Sequence, residues 1–347
     1  MSTLTRVLQS RTLAALASPH GVDRYLELVN PMWAAHEVRA RVTDVRRETP
    51  EVATLTLQPT STWAGHRAGQ HVLLGLETAG ARRTTRAFSL SSASSAPGEP
   101  VTLTLRANPD GLVSRTLVRE GIGRVVHLSQ ASGDFTLPDP LPERVLLLSA
   151  GSGITPVMAM LRTLRAQQYG GQVTFVHWAR TPEHQIFARE LAGDPDVHLV
   201  HTQAGGARFT PEALEELVPG FRDTDTWACG PAGLVAALQD AYGDRDTLRV
   251  EWFKTPLSRG AGAAEGTVSF ARSGVQAHND GQPLLVQAER AGLQPPYGCR
   301  MGICFSCTAR KTDGTVRNVV TGAESSLPDE DIQICVSAPV GDCTLDL

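Results

Sequence analysis

The chain has 347 residues, of which 41% are hydrophobic and 20% are charged, a composition typical of folded proteins with two or three domains. Lysine and arginine number 32 and aspartate and glutamate 36, a net charge of −4, which excludes a general nucleic-acid binder because such a protein needs a basic face. No stretch approaches the roughly 20 apolar residues of a membrane-spanning helix, and Arg6 and Arg11 interrupt the N-terminus where a secretory signal is apolar, so a cytoplasmic protein is expected.

The first predicted element is a helical extension over residues 1–36. Apolar residues recur at helical spacing before Asn30-Pro31, a pair that ends the pattern. This stripe predicts a helix that packs on the body of the protein, with the docking of a partner as the alternative. Its members are Val22, Tyr25, Leu26 and Val29.

Residues 37–140 change to a period of two. Apolar residues alternate with others in four short runs, separated by turn-forming residues, as in antiparallel barrels and sandwiches. We therefore predict an antiparallel barrel. The runs are Val38/Ala40/Val42, Ala53/Leu55/Leu57, Val72/Leu74/Leu76 and Val101/Leu103/Leu105.

Residues 141–253 alternate predicted strands with predicted helices, the pattern of a parallel sheet covered on both faces. Such sheets bind ligands beyond the carboxyl ends of their strands. Residues 254–266 are rich in glycine and alanine and are predicted to form a linker. The predicted strands are 145–149, 173–178, 197–201, 226–229 and 248–253, and the predicted helices include 156–168, 211–217 and 233–241.

The last predicted domain, residues 267–347, carries a cysteine cluster. Four of its cysteines follow the spacing C-x4-C-x2-C…C of plant-type 2Fe–2S sites, and thiolates are suitable ligands for iron. A structural zinc site is the alternative, although zinc sites usually show paired short spacings. Cys343 lies outside the pattern and is expected to be a small buried residue. The predicted cluster ligands are Cys299, Cys304, Cys307 and Cys335.

With these cysteines and the stretch Cys335-Val336-Ser337-Ala338-Pro339-Val340-Gly341-Asp342, the domain resembles a plant-type ferredoxin. The resemblance implies a β-grasp fold. It also implies that the first three cysteines lie on one exposed loop, from which electrons leave to a docked partner.

In the predicted barrel, Arg86-Ala87-Phe88-Ser89 resembles the R-x-[YF]-S motif of the ferredoxin–NADP reductase superfamily. The resemblance implies that Arg86 pairs with the flavin phosphates and that Phe88 packs beside the isoalloxazine. Ser89 is implied to act catalytically, with its hydroxyl near the flavin N5. A guanidinium fork matches phosphate oxygens well.

A second stretch in the barrel points to the same cofactor. Gly111-Leu112-Val113-Ser114 precedes a short predicted helix, whose first amide groups can hold a pyrophosphate. It resembles the second flavin-phosphate loop of the superfamily, which implies that Gly111, Val113 and Ser114 bind the cofactor. The two stretches together favour FAD over FMN.

The α/β segment carries a glycine-rich turn after its first strand. Gly151-Ser152-Gly153-Ile154-Thr155-Pro156 is not the ordinary G-x-G-x-x-G fingerprint, but it resembles the superfamily's G-x-G-[IV]-[TA]-P loop. The glycines allow the backbone to approach a pyrophosphate. The resemblance implies that Gly151, Gly153, Thr155 and Pro156 bind the nicotinamide cofactor, with Thr155 near the nicotinamide ring.

A later strand ends in Cys229-Gly230-Pro231, which resembles the superfamily's C-G-P motif. The resemblance implies that Cys229 lies beside nicotinamide C4 as a catalytic residue, while an inert buried cysteine is the alternative. Arg180 follows the second strand and is predicted to hold a 2′-phosphate, which favours NADPH with NADH still open. Phe253 is predicted to cover the flavin face.

These modules are expected to form an electron-transfer chain. A nicotinamide gives up two electrons together, whereas a 2Fe–2S cluster accepts one at a time. A flavin can take the pair and pass the electrons on singly. The stretches Pro19–Leu26 and Asn30–Trp33 also resemble the N-terminal extension of bacterial electron-transfer partners of acyl-CoA Δ9-desaturases. That resemblance implies a membrane-bound di-iron desaturase as the electron acceptor, with the chain peripheral at the membrane through its partner. No nucleic-acid partner is expected.

Three alternatives stay open at this point. The nearest shares the redox chemistry but serves an oxygenase, such as an aromatic-ring, steroid or alkane hydroxylase. A non-catalytic zinc-binding module would be colourless, whereas flavin and iron–sulfur absorption would exclude it. A redox sensor would need a signalling or DNA-binding segment, which the sequence analysis does not find.

Overall fold

The computed structural model describes residues 21–78, 82–107, 111–251 and 265–347. The chain divides into two compact units, residues 1–251 and 252–347. Residues 1–20 of the predicted extension, Phe253 and residues 254–264 of the predicted linker lie outside the described residues. Among the described helices, none combines the length and hydropathy needed to cross a bilayer.

The N-terminal part of the first unit is an antiparallel barrel. Its six strands are ordered β4-β3-β6-β1-β2-β5, and a bridge between Leu90 and Leu103 joins the end of β4 to β5. One helix, α2 (Leu112–Glu120), packs against β4 and β5. The strands are β1 (Val38–Thr49), β2 (Val52–Pro59), β3 (His71–Thr78), β4 (Arg82–Ser89), β5 (Val101–Arg106) and β6 (Val125–Leu128).

The barrel core follows from the alternation in the sequence. The apolar members of all four predicted runs are buried in one cluster, which also contains Trp63 and Leu117. The four-residue strand β6 was not predicted, because it is too short to show a period of its own. It pairs between β1 and β3.

The first described helix, α1 (Val22–Val29), ends immediately before Asn30-Pro31 as predicted. The predicted packing of its apolar stripe is wrong for two of its four members. Val22 is buried, but Tyr25 and Val29 are 46% and 71% exposed. Instead, the barrel side of the helix holds the buried carboxylate of Asp23, which accepts backbone hydrogen bonds.

A parallel sheet follows the barrel, with the order β11-β10-β7-β8-β9. Its core strand β7 is buried along almost its whole length, as a sheet with helices on both faces requires. The strands are β7 (Arg144–Ala150), β8 (Gln172–Ala179), β9 (Val197–His201), β10 (Asp225–Cys229) and β11 (Leu248–Glu251); the helices are α3 (Ile154–Ala166), α4 (Ala188–Leu191), α5 (Pro211–Leu217) and α6 (Ala232–Tyr242).

The described part of the second unit, residues 265–347, is a mixed sheet with one helix, α7 (Leu284–Arg290). The strand order is β13-β12-β17-β14-β15, and β16 also pairs with β14. Leu284, Leu285 and Ala288 of α7 are buried in its core. The predicted fold class, an antiparallel barrel, a parallel α/β domain and a β-grasp domain, is confirmed. The strands are β12 (Thr267–Phe270), β13 (Val275–His278), β14 (Thr308–Asn318), β15 (Glu324–Ser325), β16 (Glu330–Gln333) and β17 (Ser337–Leu345).

Candidate cofactor sites

The two nicotinamide motifs meet at the carboxyl ends of the neighbouring strands β7 and β10. Gly151–Gly153 form a single 3-10 turn between β7 and α3. A Cβ atom on Gly153 would lie 2.2 Å from the carbonyl oxygen of Cys229, so only glycine allows this approach. The sequence therefore brings both motifs together by backbone contact.

A cavity of about 570 Å³ opens along these strand ends, within the usual size range of a small-molecule site. Ala150, Gly151, Ser152 and Pro231 line one side of it. The cavity thus begins at the two predicted motifs and extends along the ends of β8 and β9, toward the predicted Arg180.

Three arginines, Arg106, Arg180 and Arg208, line the far part of the cavity together with His184 and the carboxylate of Glu51. The pKa of the Glu51 carboxyl is lowered, chiefly by its hydrogen bond from Arg106, with smaller contributions from Arg180 and His184. Arg208 was not predicted from the sequence, although it follows the carboxyl end of β9, where a parallel sheet places ligand-binding residues.

Five of the predicted nicotinamide-binding residues do not line the cavity, namely Gly153, Thr155, Pro156, Cys229 and Gly230. Cys229 is completely buried, and burial together with nearby Glu251 raises the pKa of its thiol well above the usual value. Thr155 is also buried, and its hydroxyl donates to the carbonyl of Ser152 at 3.2 Å. Cys229 is therefore a neutral packing thiol in this arrangement and has none of the character of a nucleophile.

Glu251 is a further acidic group at this site, and it was not predicted from the sequence. It pairs in register with Cys229 across β10 and β11. Burial raises the pKa of its carboxyl to about 7, and its Oε2 atom has no hydrogen-bond partner among the described residues. A buried carboxyl of this kind is poised to take up or release a proton near neutral pH.

This pKa predicts an unusual pH dependence of stability. Because the folded pKa of about 7 exceeds the usual 4.5, the folded state binds the proton more tightly, and stability falls as the pH rises between these values. We expect Glu251→Gln to be more stable than the parent by about 1–3 kcal/mol at pH 8 and to lose this advantage by pH 4.5. Thermal unfolding of both proteins at pH 8 and at pH 4.5 measures this difference in stability.

The exposed Glu216 of α5 provides the matched control. Glu216→Gln should follow the parent at every pH. If Glu251→Gln is no more stable than the parent at pH 8, this result would contradict the inference that the buried Glu251 carboxylate destabilises the fold.

The predicted flavin residues lie on β4 and on the first turn of α2, which pack against each other. Ser89 is buried at the end of β4, and one guanidinium nitrogen of Arg86 donates to the carbonyl of Thr85 at 2.8 Å. Gly111 is the N-cap of α2, where no side chain of the described residues caps the helix. The amide groups in the first turn of a helix have no acceptor within the helix and can bind a phosphate, which fits the predicted flavin site.

Val113 and Ser114 follow in the first turn of α2, and both are buried. The Ser114 hydroxyl donates weakly to the carbonyl of Gly111, at 3.4 Å. Both residues therefore fix the conformation of this turn, which would place its backbone against the phosphates of FAD.

In the second unit, the four predicted cluster cysteines form two pairs. The Cys299 thiol hydrogen-bonds with Cys304, and the Cys307 thiol hydrogen-bonds with Cys335. These partner thiols lower the pKa of Cys304 and of Cys307. Two pairs of sulfur ligands match a cluster of two irons that is bound by four thiolates.

The loop around these thiols is shaped for a group held in its centre. Arg300, Gly302 and Phe305 have positive φ angles of 59°, 76° and 55°, so the chain curls tightly. The backbone amide of Cys299 donates to the Cys304 sulfur at 3.1 Å, and that of Met301 donates to the Cys299 sulfur at 3.3 Å. Amides directed at thiolate sulfur stabilise negative charge, so the residues fit a 2Fe–2S cluster.

Cys343 lies apart from this loop. It is 2% exposed and pairs with Val268 in the core of the unit, in agreement with the expected small buried residue. Phe305, between two predicted ligands, is 68% exposed, so the cluster loop lies at the surface of its unit.

The comparisons with known proteins agree with this geometry. The 2Fe-2S iron-sulfur cluster binding domain family matches residues 269–340, and the oxidoreductase NAD-binding domain family matches residues 147–240. The NADPH oxidoreductase of Mycobacterium tuberculosis is 41% identical over 96% of this chain and 90% of its own. A glycine betaine monooxygenase reductase subunit of Chromohalobacter salexigens is 29% identical over 88% of this chain and 94% of its own.

Among solved structures, phthalate dioxygenase reductase superposes with a TM-score of 0.60 at 22% identity, over 89% of this chain and 97% of its own. The predicted family and cofactors are thereby confirmed. This chain belongs to the ferredoxin–NADP reductase superfamily, as an NAD(P)H-dependent oxidoreductase with FAD and a C-terminal 2Fe–2S ferredoxin domain.

Proposed function

We propose that this chain oxidises NADPH and delivers the electrons singly to a membrane-bound di-iron acyl-CoA desaturase, so that it works at the membrane surface. The observation that carries the proposal is the resemblance of Pro19–Leu26 and Asn30–Trp33 to the N-terminal extension of desaturase electron-transfer partners. The alignment with the M. tuberculosis NADPH oxidoreductase leaves fewer residues uncovered than the 36 of the extension. Part of the extension is therefore common to both chains, which supports a shared role.

FAD, when bound, supplies the conversion of a two-electron hydride into single electrons that a 2Fe–2S cluster can accept. We propose that Arg86 and the first turn of α2 hold its phosphates, that Phe88 packs against its ring and that Ser89 directs its hydroxyl toward N5. The four paired cysteines would hold the cluster.

For the nicotinamide cofactor, we propose that the Gly151–Gly153 turn receives the pyrophosphate. Pro231 then continues the wall of the cavity from the neighbouring strand, and Gly230 lies close to Ala150. Cys229 and Thr155 are both buried and would therefore act as packing and positioning residues. Glu251 would hold a proton beside them. The chemistry thus depends on alignment, which can contribute several orders of magnitude in rate.

The preference for NADPH is supported by the arginines at the far end of the cavity. Arg180 and Arg208 are both exposed and line the same cavity, where a 2′-phosphate would find two guanidinium groups. We expect Arg208→Ala to raise the KM for NADPH by about 10–100-fold, the value of a lost charge-assisted hydrogen bond, and to leave the KM for NADH nearly unchanged.

Steady-state reduction of ferricyanide with NADPH and with NADH measures the two KM values. Arg245→Ala is the matched control, because Arg245 pairs with Asp223 at the opposite, amino-terminal end of the sheet. Equal losses with NADPH and NADH in Arg208→Ala would refute the assignment of a 2′-phosphate contact.

A second candidate acceptor is the terminal component of an oxygenase. The similarity to the C. salexigens protein, a monooxygenase reductase subunit, favours it. Reconstitution distinguishes the two acceptors: the holoprotein with NADPH is combined either with a stearoyl-CoA desaturase in vesicles or with a terminal oxygenase. Oleoyl product in the first mixture supports the proposal, whereas hydroxylated product only in the second replaces it.

A further inference from the structure

In helix α1 the acidic side chains face the protein and large apolar side chains face outward, which is the reverse of an ordinary surface helix. Its two carboxylates, Asp23 and Glu27, are on the buried or half-buried side, while Leu28 and Val29 are 74% and 71% exposed. A surface helix normally directs its apolar stripe at the protein and its charges at water. The reversal gives α1 an apolar outer face that the described residues do not cover.

The inner side of α1 is held firmly on the barrel. The Asp23 carboxylate accepts hydrogen bonds from the backbone amides of His36 and Glu37 at 3.0 and 3.1 Å. The buried Arg39 guanidinium lies 3.5 Å from the Glu27 carboxylate and donates to the Asp23 carbonyl at 3.1 Å. The acidic groups are thus compensated on the barrel side, and the apolar side is fixed outward.

Two aromatic residues extend this face. Tyr25 is 46% exposed, and Trp33, in the turn after α1, is 53% exposed. The Trp33 amide donates to the Asn30 carbonyl at 2.9 Å, so the turn is ordered. Isolated exposed apolar residues are common on protein surfaces, but four large ones within nine residues of sequence form a patch that marks an interaction site.

The sequence that precedes the patch is basic. Residues 1–22 contain Arg6 and Arg11 but neither aspartate nor glutamate, and Arg24 of α1, which lies 3.7 Å from the Glu27 carboxylate, has a side chain 59% exposed. An apolar stripe with interfacial aromatic residues and flanking arginines is the composition that binds an anionic lipid surface. Of the two acids in α1, Asp23 is buried and the Glu27 side chain is 21% exposed.

We propose that the apolar face of α1, formed by Tyr25, Leu28, Val29 and Trp33, inserts into the interface of an anionic lipid bilayer. The reductase thereby contacts the membrane directly, rather than only through its electron acceptor. This inference depends on α1 and its flanking charges and holds whichever acceptor the chain serves.

The test uses the full-length holoprotein and vesicles made of equal parts of phosphatidylcholine and phosphatidylglycerol. The parent should sediment with the vesicles. The double variant Leu28→Glu/Val29→Glu should bind at least about tenfold more weakly, because each buried aliphatic side chain contributes about 1.5–3 kcal/mol. Leu327→Glu, at a leucine that is 66% exposed in the second unit, should bind as the parent does.

Two controls keep the result interpretable. All variants should retain NADPH–ferricyanide activity, which shows that they fold. Vesicles should also shift the tryptophan emission of the parent to shorter wavelength, a shift that Trp33→Phe should lose.

Three results would overturn the inference. The first is a parent that does not bind the vesicles. The second is a double variant that binds as tightly as the parent, which would indicate charge attraction alone. The third is a parent dimer that the double variant abolishes, with no vesicle binding, because a second copy of the chain would then cover the face.

Discussion

Cys304→Ser should lose reduction of cytochrome c but keep NADPH-driven reduction of ferricyanide. Cys304 donates one of four paired sulfur ligands, and its sulfur also accepts the Cys299 amide at 3.1 Å. Residues that merely orient a metal ligand already contribute about 10–100-fold, so removal of a ligand should lower the cluster-dependent rate by at least about 100-fold. The direct activity should stay within about twofold, because the flavin and nicotinamide motifs belong to the other unit.

Cys343→Ser is the matched control. Cys343 is equally a cysteine of the second unit, but it is buried in the core apart from the cluster loop. Its replacement should lower stability by about 1–3 kcal/mol, the cost of a buried hydroxyl, and preserve cytochrome c reduction at low temperature. Parallel loss of both activities in Cys304→Ser would contradict a relay of separable modules.

Gly153→Ala should damage the nicotinamide site almost as severely. The added Cβ would lie 2.2 Å from the Cys229 carbonyl oxygen and 2.8 Å from the Gly230 Cα. Both are backbone atoms, so the glycine turn and the neighbouring strand end must separate. Displacements of about 1 Å in a reacting geometry can reduce rates by about 100-fold, and overpacking costs about 1–3 kcal/mol. We expect kcat/KM for NADPH and the unfolding temperature both to fall.

Gly170→Ala tests whether the effect is specific to this contact. Nothing lies within 4 Å of a Cβ at Gly170, and its φ angle is not in the positive region, so alanine should be neutral or slightly stabilising. Flavin and iron content should be unchanged in both variants. A Gly153→Ala variant with normal kcat/KM would show that the turn does not position the nicotinamide cofactor.

Much of the fold could be predicted because periodicity reports local burial directly. The buried run in β7 and the alternating runs in β1 and β2 each appear in the sequence at their true positions. The glycine motifs were visible because a close backbone approach admits no other residue, as Gly153 illustrates. The cysteine spacing was visible because a cluster fixes three of its four ligands in one short loop.

What could not be predicted depends on the register between distant segments. Glu251 becomes a buried carboxyl because β11 aligns it with Cys229, and Arg208 reaches the cavity through the order of the strands. The stripe of α1 was detectable, but periodicity cannot show which side meets the protein. There the amides of residues 35–37 bind Asp23 and turn the acidic side inward.

The most direct test of the electron relay is paramagnetic resonance and absorption spectroscopy of the anaerobic holoprotein after NADPH is added. The account predicts a bleached flavin band together with the rhombic signal of a reduced 2Fe–2S cluster, and the loss of that signal alone in Cys304→Ser. A flavin that bleaches while the parent develops no rhombic signal would contradict it.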